Sequence, residues 1–198
     1  EKLFQKPYAT LVYASGGELL GAKIADDGQW RFPLPDSLPK KFKTSLIAFE
    51  DQYFYSHPGF NPVAMAKALV NNLRAGRVIS GGSTLTQQVI RLSRDHRPRT
   101  YFEKLIELIL ATRLEWSYSK DEILTLFAGH AHFGGNVVGL DAASWRYFNV
   151  PPSELSWAES ATLAVLPNAP GLIYPGKNHD LLLAKRNRLL NKLFQQKA

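Results

Sequence analysis

The sequence predicts a mainly α-helical protein that begins with a short β-hairpin. Apolar residues recur at helical spacing over most of the chain after residue 38, and two short runs rich in Leu, Val and Tyr precede them. With 198 residues, 45% of them hydrophobic and 21% charged, the chain is long enough to bury a substantial core. We therefore expect a single domain over residues 1–198, with a β-hairpin leader at 1–37 and a helical body at 38–198.

The hairpin is predicted from two extended runs on either side of a glycine turn. Residues 10–13 and 19–24 flank Gly16 and Gly17, a composition that suits a tight connection between antiparallel strands. A second turn at residues 26–29 leads into a short strand. Prolines then mark the change from strand to helix: Pro33, Pro35 and Pro39.

The helices are predicted from apolar spacing and from residues that favour helix ends. Apolar side chains at helical spacing carry the first helix from Lys40 into Glu50. Asn61 and Pro62 begin the next helix, because Asn caps free amides and Pro fits the first turn, and Gly76 ends it. Further helices are expected near residues 84–93, 100–116, 120–128, 139–148, 157–166 and 180–196.

The overall composition favours anionic ligands but does not identify which one the protein binds. The 24 basic and 17 acidic residues give a net charge of +7 and a pI near 9.6, which favours polyanions or an anionic membrane face. The absence of cysteine excludes disulfides and thiolate metal sites. No uninterrupted apolar stretch is long enough to cross a bilayer. Because the sequence opens at Glu1 without a Met, we expect it to be an excised fragment.

Glu50 lies in an apolar and aromatic run that extends from Ser45 to Phe60. A carboxylate in such surroundings is costly to bury unless it has a partner or a function. The neighbouring Asp51 should point about 100° away on a helix, so the two carboxylates cannot share one role. His57 is interpreted as a turn anchor, since a lone His is more often structural than catalytic.

The predicted helix after Gly82 has an unusual polar face. Its apolar stripe is formed by Leu85, Val89 and Leu92. The opposite stripe carries hydroxyl, amide and cationic groups: Thr84, Gln87, Gln88 and Arg91. Such polar side chains suit a phosphate or polyhydroxyl ligand, and free amides at a helix N-terminus attract anions. The alternative is an N-cap at Ser83 followed by an ordinary polar surface.

Glu107 interrupts an otherwise apolar helix. Lys104 can pair with it at i, i+3, whereas Glu103 lies at i, i+4 and repels it. A purely structural helix gains nothing from a carboxylate there, although a structural salt bridge stays the alternative. The preceding segment is rich in cations that could hold a diphosphate or form a solvated basic loop: Arg94, Arg97 and Arg99.

No metal site is predicted from the histidines. His130 and His132 lie close together in the sequence, but no acidic or Cys residues nearby complete a zinc ligand set. The metal-ligand interpretation of this pair is therefore rejected.

Together these motifs resemble the peptidoglycan glycosyltransferases, glycosyltransferase family 51. The run from Glu50 to Gly59 (EDQYFYSHPG) resembles the first family signature, and Gly81 to Gln88 (GGSTLTQQ) matches the second nearly letter for letter. The matches follow the family's order from about residue 40 to 175, and the stretch DGQWR before them is most similar to class A penicillin-binding proteins of the 1C type. The third motif fits Lys104 and Glu107. The fourth fits residues 120–124 together with Phe133, Gly134 and Gly139, and the fifth resembles residues 159–170.

The resemblance implies a lysozyme-like glycosyltransferase fold with a small membrane-facing lobe. Such a domain polymerises lipid II into β-1,4-linked glycan strands with inversion and releases undecaprenyl pyrophosphate. The resemblance makes Glu50 the general base and Glu107 a second essential carboxylate, which orients groups or assists a divalent cation such as Mg or Mn. It also implies these substrate-binding residues: Asp51, Ser83, Thr84, Gln87, Gln88, Arg91, Arg99 and Lys104.

The implied partners are lipid II, the lipid-linked nascent glycan and the membrane surface. The implied location is the outer, periplasmic face of the bacterial cytoplasmic membrane. Residues 60–79 carry apolar side chains between cations, which suits shallow membrane insertion but equally suits an amphipathic packing helix. The family usually has a transmembrane anchor and often a transpeptidase domain, and neither pattern is present in this sequence.

Three alternatives stay open at this point. A lytic transglycosylase or lysozyme would use one Glu on a similar fold but would not need diphosphate-binding residues. A low-activity lipid II- or glycan-binding scaffold is suggested by two departures from the family pattern, Glu103 for Arg and Gly129 in the fourth motif. A further departure, Arg91 for Lys, keeps the charge but changes its reach and geometry. A nucleic-acid binder fits the charge, but no groove-reading motif is present, so no nucleic-acid partner is expected.

Overall fold

The computed structural model of the protein describes residues 3–77, 81–94 and 100–196. Within these ranges every predicted helix is present, and its ends lie within two residues of the expected positions. The mainly α-helical fold with an N-terminal β-hairpin is therefore confirmed. The helices are α1 (Lys40–Glu50), α2 (Pro62–Ala75), α3 (Leu85–Ser93), α4 (Tyr101–Ser117), α5 (Lys120–His130), α6 (Leu140–Phe148), α7 (Trp157–Val165) and α8 (His179–Gln195).

The strands form two small sheets. The predicted hairpin pairs β1 (Thr10–Tyr13) with β2 (Leu19–Lys23) in antiparallel register, with an irregularity at Tyr13. The second sheet has the order β3–β5–β4, in which β3 is parallel and β4 antiparallel to β5. Only its first strand was expected from the sequence. Its members are β3 (Trp30–Arg31), β4 (His132–Gly134) and β5 (Val137–Val138).

Contacts among the described residues cluster into two compact units. The first unit combines Glu1–Phe49 with Ala128–Ala198, and the second is Glu50–Phe127. The N-terminal hairpin therefore shares a unit with the C-terminal helices. No helix in the described ranges combines the length and apolar character needed to cross a membrane.

The first unit is organised around aromatic and aliphatic side chains from distant parts of the sequence. Phe42 of α1 is fully buried, and its ring centroid lies 6.4 Å from that of Phe133 in β4. A Cβ atom at Gly129 would overlap Leu34 Cδ2, the end of a flexible and partly exposed side chain that would have to move aside.

The second unit packs α3 against α4 around buried residues such as Leu85, Val89 and Ala111. The cap of α2 is as predicted: Asn61 Oδ1 accepts from the Ala64 amide at 3.0 Å. Gly59 brings the segment after α1 against α4. Its φ of +86° disfavours other residues, and a Cβ atom would lie 2.8 Å from the Ala111 carbonyl.

Candidate active site

Glu50 and Gln88 form the contact around which the candidate site is built. Glu50 is the last residue of α1, and Gln88 lies in the second turn of α3. The Gln88 Nε2 group donates a hydrogen bond to Glu50 Oε2 at 2.8 Å. Because one donor of a neutral amide is directed at the carboxylate, the orientation of the Glu50 side chain is restricted.

Asp51 follows Glu50 but faces the protein interior. Its carboxylate accepts from the Leu85 amide at 3.0 Å and contacts His57 Nε2 at 3.0 Å. Asp51 and His57 are both buried, so His57 anchors this turn as expected. The substrate-binding role implied for Asp51 stays a prediction, and the observed contacts instead fix the start of α3 against the segment after Glu50.

Glu107 lies between two cations. Arg91 donates to both of its carboxylate oxygens, Nε to Oε1 and Nη2 to Oε2, at 2.8 Å each. Lys104 Nζ adds a third hydrogen bond to Oε2 at 3.2 Å. Burial alone would raise the pKa of Glu107, but the hydrogen bonds and charges of Arg91 and Lys104 outweigh it and lower the pKa. Glu107 is therefore ionised at neutral pH.

Lys104 also ties together the beginning of α3. Its Nζ donates to Ser83 Oγ at 3.0 Å and to Gln87 Oε1 at 2.9 Å. Ser83, Gln87, Lys104 and Glu107 thus belong to one hydrogen-bonded cluster, and the roles implied for them stay predictions.

The N-cap of α3 differs from the alternative considered above. Thr84, not Ser83, caps the helix: its Oγ1 accepts from the Gln87 amide at 3.2 Å and donates to the Gly59 carbonyl at 2.6 Å. The expectation of an N-cap at Ser83 is therefore wrong, because the hydroxyl of Ser83 instead accepts from Lys104. Thr84 and Gln87 are buried, and their substrate-binding roles stay predictions.

Of the three other arginines predicted to hold a diphosphate, only Arg94 lies within the described residues. Arg94 pairs with Glu103 at 2.9 Å, so the acidic departure at residue 103 meets a cation on α3. Arg97 and Arg99 lie outside the described residues, and the role implied for Arg99 stays a prediction.

The donor set at Glu107 does not fit the divalent cation that the resemblance allowed. Both oxygens of Glu107 already accept from Arg91 or Lys104. Among the described residues, no group of three or more His, Asp or Glu side chains could hold a metal ion.

Sequence reasoning missed a second buried ion pair in the same unit. Glu115 accepts from Thr86 Oγ1 at 2.6 Å and from Lys120 Nζ at 2.8 Å. A local signal existed, since Glu115 lies eight residues after Glu107 and so on the same face of α4.

Residues 18–194 match the Transglycosylase family, and the chain belongs to that family. The family membership implied by the motifs is thereby confirmed. Among its relatives, penicillin-binding protein 1C of Escherichia coli (strain K12) is 43% identical over 189 residues, 95% of this chain and 24% of the relative. Penicillin-binding protein 1A of Aquifex aeolicus is 35% identical over 96% of this chain and 26% of the relative.

A solved structure supports the same fold. The 2.6 Å crystal structure of penicillin-binding protein 1A from Haemophilus influenzae has a TM-score of 0.51 and 19% sequence identity. The match covers 98% of this chain and 19% of that one, and the expected lysozyme-like glycosyltransferase fold is confirmed at the level of the fold. The chain spans about a quarter of the length of the curated relatives named above.

Proposed function

We propose that the chain is a peptidoglycan glycosyltransferase that polymerises lipid II into β-1,4-linked glycan strands. The observation that carries this proposal is the placement of two opposite chemistries along α3. Gln88 contacts a carboxylate that can accept a proton, and Arg91, one turn further, belongs to a cluster of cations. A transfer reaction with a diphosphate leaving group needs both, a base for the attacking hydroxyl and cations for the departing charge.

In the proposed reaction, Glu50 takes the proton from the 4-hydroxyl of the acceptor lipid II. The acceptor oxygen forms a bond to the anomeric carbon of the growing strand, on the face opposite the diphosphate. The bond from that carbon to the phosphate oxygen breaks, and its electron pair leaves with undecaprenyl pyrophosphate. The result is inversion at the anomeric carbon and a strand that is one disaccharide longer.

Arg91 and Lys104 are proposed to bind the diphosphate. Their charges face Glu107, so the anion must share them with this carboxylate. Glu107 keeps both cations ordered, and ordered cations stabilise developing negative charge without further rearrangement. Since Arg91 and Lys104 lower the pKa of Glu107, this residue is unsuited to donate a proton. Diphosphate is a good leaving group and needs no such donor.

The membrane is proposed as the surface on which the enzyme works. Helix α2 exposes Val63, Leu69 and Leu73 together with Lys67 and Arg74. Apolar side chains flanked by cations favour insertion at the headgroup level of an anionic bilayer. Beside them is a groove of about 420 Å³, which suits contact with acyl or prenyl chains. It is lined by Phe60, Pro62, Met65, Leu108, Ile109 and Thr112.

The proposal is tested with the purified chain, lipid II and detergent. We expect long glycan strands, and we expect Glu50→Gln to lower the rate by about 10²–10⁴-fold, the usual contribution of a general base. Glu154→Gln makes the same chemical change at an exposed site in the other unit and should leave the rate unchanged. Circular dichroism and the unfolding midpoint of each variant establish that folding is retained.

Two outcomes would contradict the polymerase. Shortening of strands in purified sacculi, without synthesis from lipid II, would indicate a lytic transglycosylase. Binding of lipid II by the unmutated chain without turnover would indicate a scaffold.

A further inference from the structure

Lys120 is a largely buried cation to which the proposed reaction assigns no role. It is the first residue of α5, and 19% of its side chain is exposed. Its Nζ donates to the His57 carbonyl at 2.6 Å and to Glu115 Oε1 at 2.8 Å, and lies 4.5 Å from the centroid of the Phe54 ring. Two hydrogen bonds and a ring contact therefore hold this ammonium group in one position.

The Lys120–Glu115 pair joins three parts of the second unit. His57 belongs to the segment that follows Glu50, and Glu115 lies on α4. Glu115 Oε1 also accepts from Thr86 Oγ1 of α3 at 2.6 Å, and Thr86 is fully buried. A single carboxylate oxygen thus links the cation to the helix that carries Gln88 and Arg91.

The same segment is tied to the first turn of α3 at two more points. Asp51 accepts from the Leu85 amide at 3.0 Å, and Thr84 Oγ1 donates to the Gly59 carbonyl at 2.6 Å. Glu50 directly precedes this segment, and Gln88 lies one turn after Leu85. The position of the segment relative to α3 therefore sets how Glu50 meets Gln88.

The chemistry of the pair argues for positioning more than for stability. A buried ion pair contributes little net stability compared with apolar residues of the same size, because both charges must be desolvated. An apolar side chain, however, could not donate to the His57 carbonyl or bring Thr86 and the segment together through directed hydrogen bonds. The benefit of the pair is a fixed geometry.

We propose that Lys120 and Glu115 are positioning residues for the general base. Their pair, through the His57 carbonyl and Thr86, holds residues 51–59 against α3 and so aligns Glu50 with Gln88. The inference rests on the proposed function of Glu50, and neither residue touches the reacting atoms.

The test compares Lys120→Met and Lys120→Arg with the control Arg31→Met. Arg31 is a matched buried cation in the first unit: its Nη1 donates to the Pro7 carbonyl at 2.7 Å and to Asp27 at 2.9 Å. We expect Lys120→Met to lower kcat by about 10–100-fold, as small misplacements of reacting groups do, with little change in KM. Lys120→Arg, which keeps a charged donor, should recover a large part of kcat, and Arg31→Met should alter stability but not kcat.

A second readout separates this inference from the proposed function. Hydrogen exchange of the peptide covering residues 51–59 should be faster in Lys120→Met than in the unmutated chain, and unchanged in Arg31→Met. If the unmutated chain makes no glycan strands, the proposed function is wrong, while the exchange rates still decide whether Lys120 holds this segment.

The positioning role would be overturned by unchanged exchange in Lys120→Met. It would also be overturned if Arg31→Met, compared at equal distance below its unfolding midpoint, lost as much kcat as Lys120→Met. If Lys120→Met does not fold, Thr86→Val replaces it, because this change removes the hydroxyl that links Glu115 to α3 and leaves the Lys120–Glu115 pair in place. Unchanged kcat and exchange in Thr86→Val would then refute the proposal.

Discussion

Removal of the Glu107 charge should destabilise the protein far more than an ordinary Glu→Gln change. Glu107 accepts two hydrogen bonds from Arg91 at 2.8 Å and one from Lys104 at 3.2 Å. In Glu107→Gln, one amide oxygen replaces two charged acceptors, and an amide NH₂ is directed at a guanidinium group. Both cations keep their charge but lose the carboxylate that balanced it.

The magnitude follows from the burial of the three groups. Removing one partner of a buried ion pair costs about 3–5 kcal/mol, because it leaves an uncompensated charge. The Glu107 side chain is 10% exposed, but the side chains of Arg91 and Lys104 are 17% and 33% exposed, so water can partly rehydrate them. We therefore expect the low end of that range, about 3 kcal/mol. For a chain of this size such a loss lowers the melting temperature by roughly 6–12 °C.

The pH dependence of the loss gives the sharper test. The folded-state pKa of Glu107 lies below its ordinary value of 4.5, so the unfolded chain binds this proton more readily. The stabilisation is therefore complete above about pH 4.5 and disappears as pH falls through the folded-state pKa. The unmutated chain should lose this part of its stability on acidification, whereas Glu107→Gln has already lost it and should show a flatter profile there.

Urea unfolding at several pH values from about 2 to 8 measures both effects, because the series must extend below the lowered pKa of Glu107. Glu154→Gln, at an exposed position, is the control and should match the unmutated chain. If Glu107→Gln lowers the free energy of unfolding no more than Glu154→Gln does, the buried ion pair does not stabilise the protein as argued here. If the free energies of unfolding of Glu107→Gln and of the unmutated chain differ by the same amount down to the lowest pH, the charge of Glu107 is not the cause of the difference.

Two further predictions concern the other unit and the membrane surface. Burial raises the pKa of Asp141 to about 6, so the folded state binds this proton more tightly and the contribution of Asp141 to stability is lost as pH rises through that value. Asp141→Asn should therefore stabilise the protein at pH 7, by about 3 kcal/mol, but not at pH 4. Equal changes in the free energy of unfolding at both pH values, measured in urea, would contradict this cause. Replacing both Leu69 and Leu73 by Asp should weaken sedimentation with anionic vesicles by more than tenfold, since each change removes exposed apolar area and adds repulsive charge. Leu20→Asp, at an exposed leucine of the hairpin, is the control, and equal losses would argue against a specific membrane surface.

Helix positions could be predicted because their signals are local. Asn61 with Pro62 and Gly76 bound α2 as expected, and the apolar spacing of Leu85 and Val89 identified the buried face of α3. Capping and 3.6-residue periodicity depend on neighbours within a few turns, which a single sequence displays directly.

Strand pairing could not be predicted in the same way. β4 and β5 are only three and two residues long and carry too little alternation to be recognised. They become strands because Val137 pairs with Trp30, a residue far away in the sequence. Such a partner is chosen only when the chain has folded.

The same distinction between local signals and contacts of distant residues applies to the candidate site. The sequence by itself determined the motifs and so the family, and from the spacing of Glu50, Gln88 and Glu107 within those motifs it predicts which residues carry the chemistry. Only the tertiary structure decided what those residues contact: Asp51 faces inward to His57, and Glu107 holds two cations. Hydrogen-bond partners and desolvation depend on distances between separate helices, and these distances arise from packing rather than from local pattern.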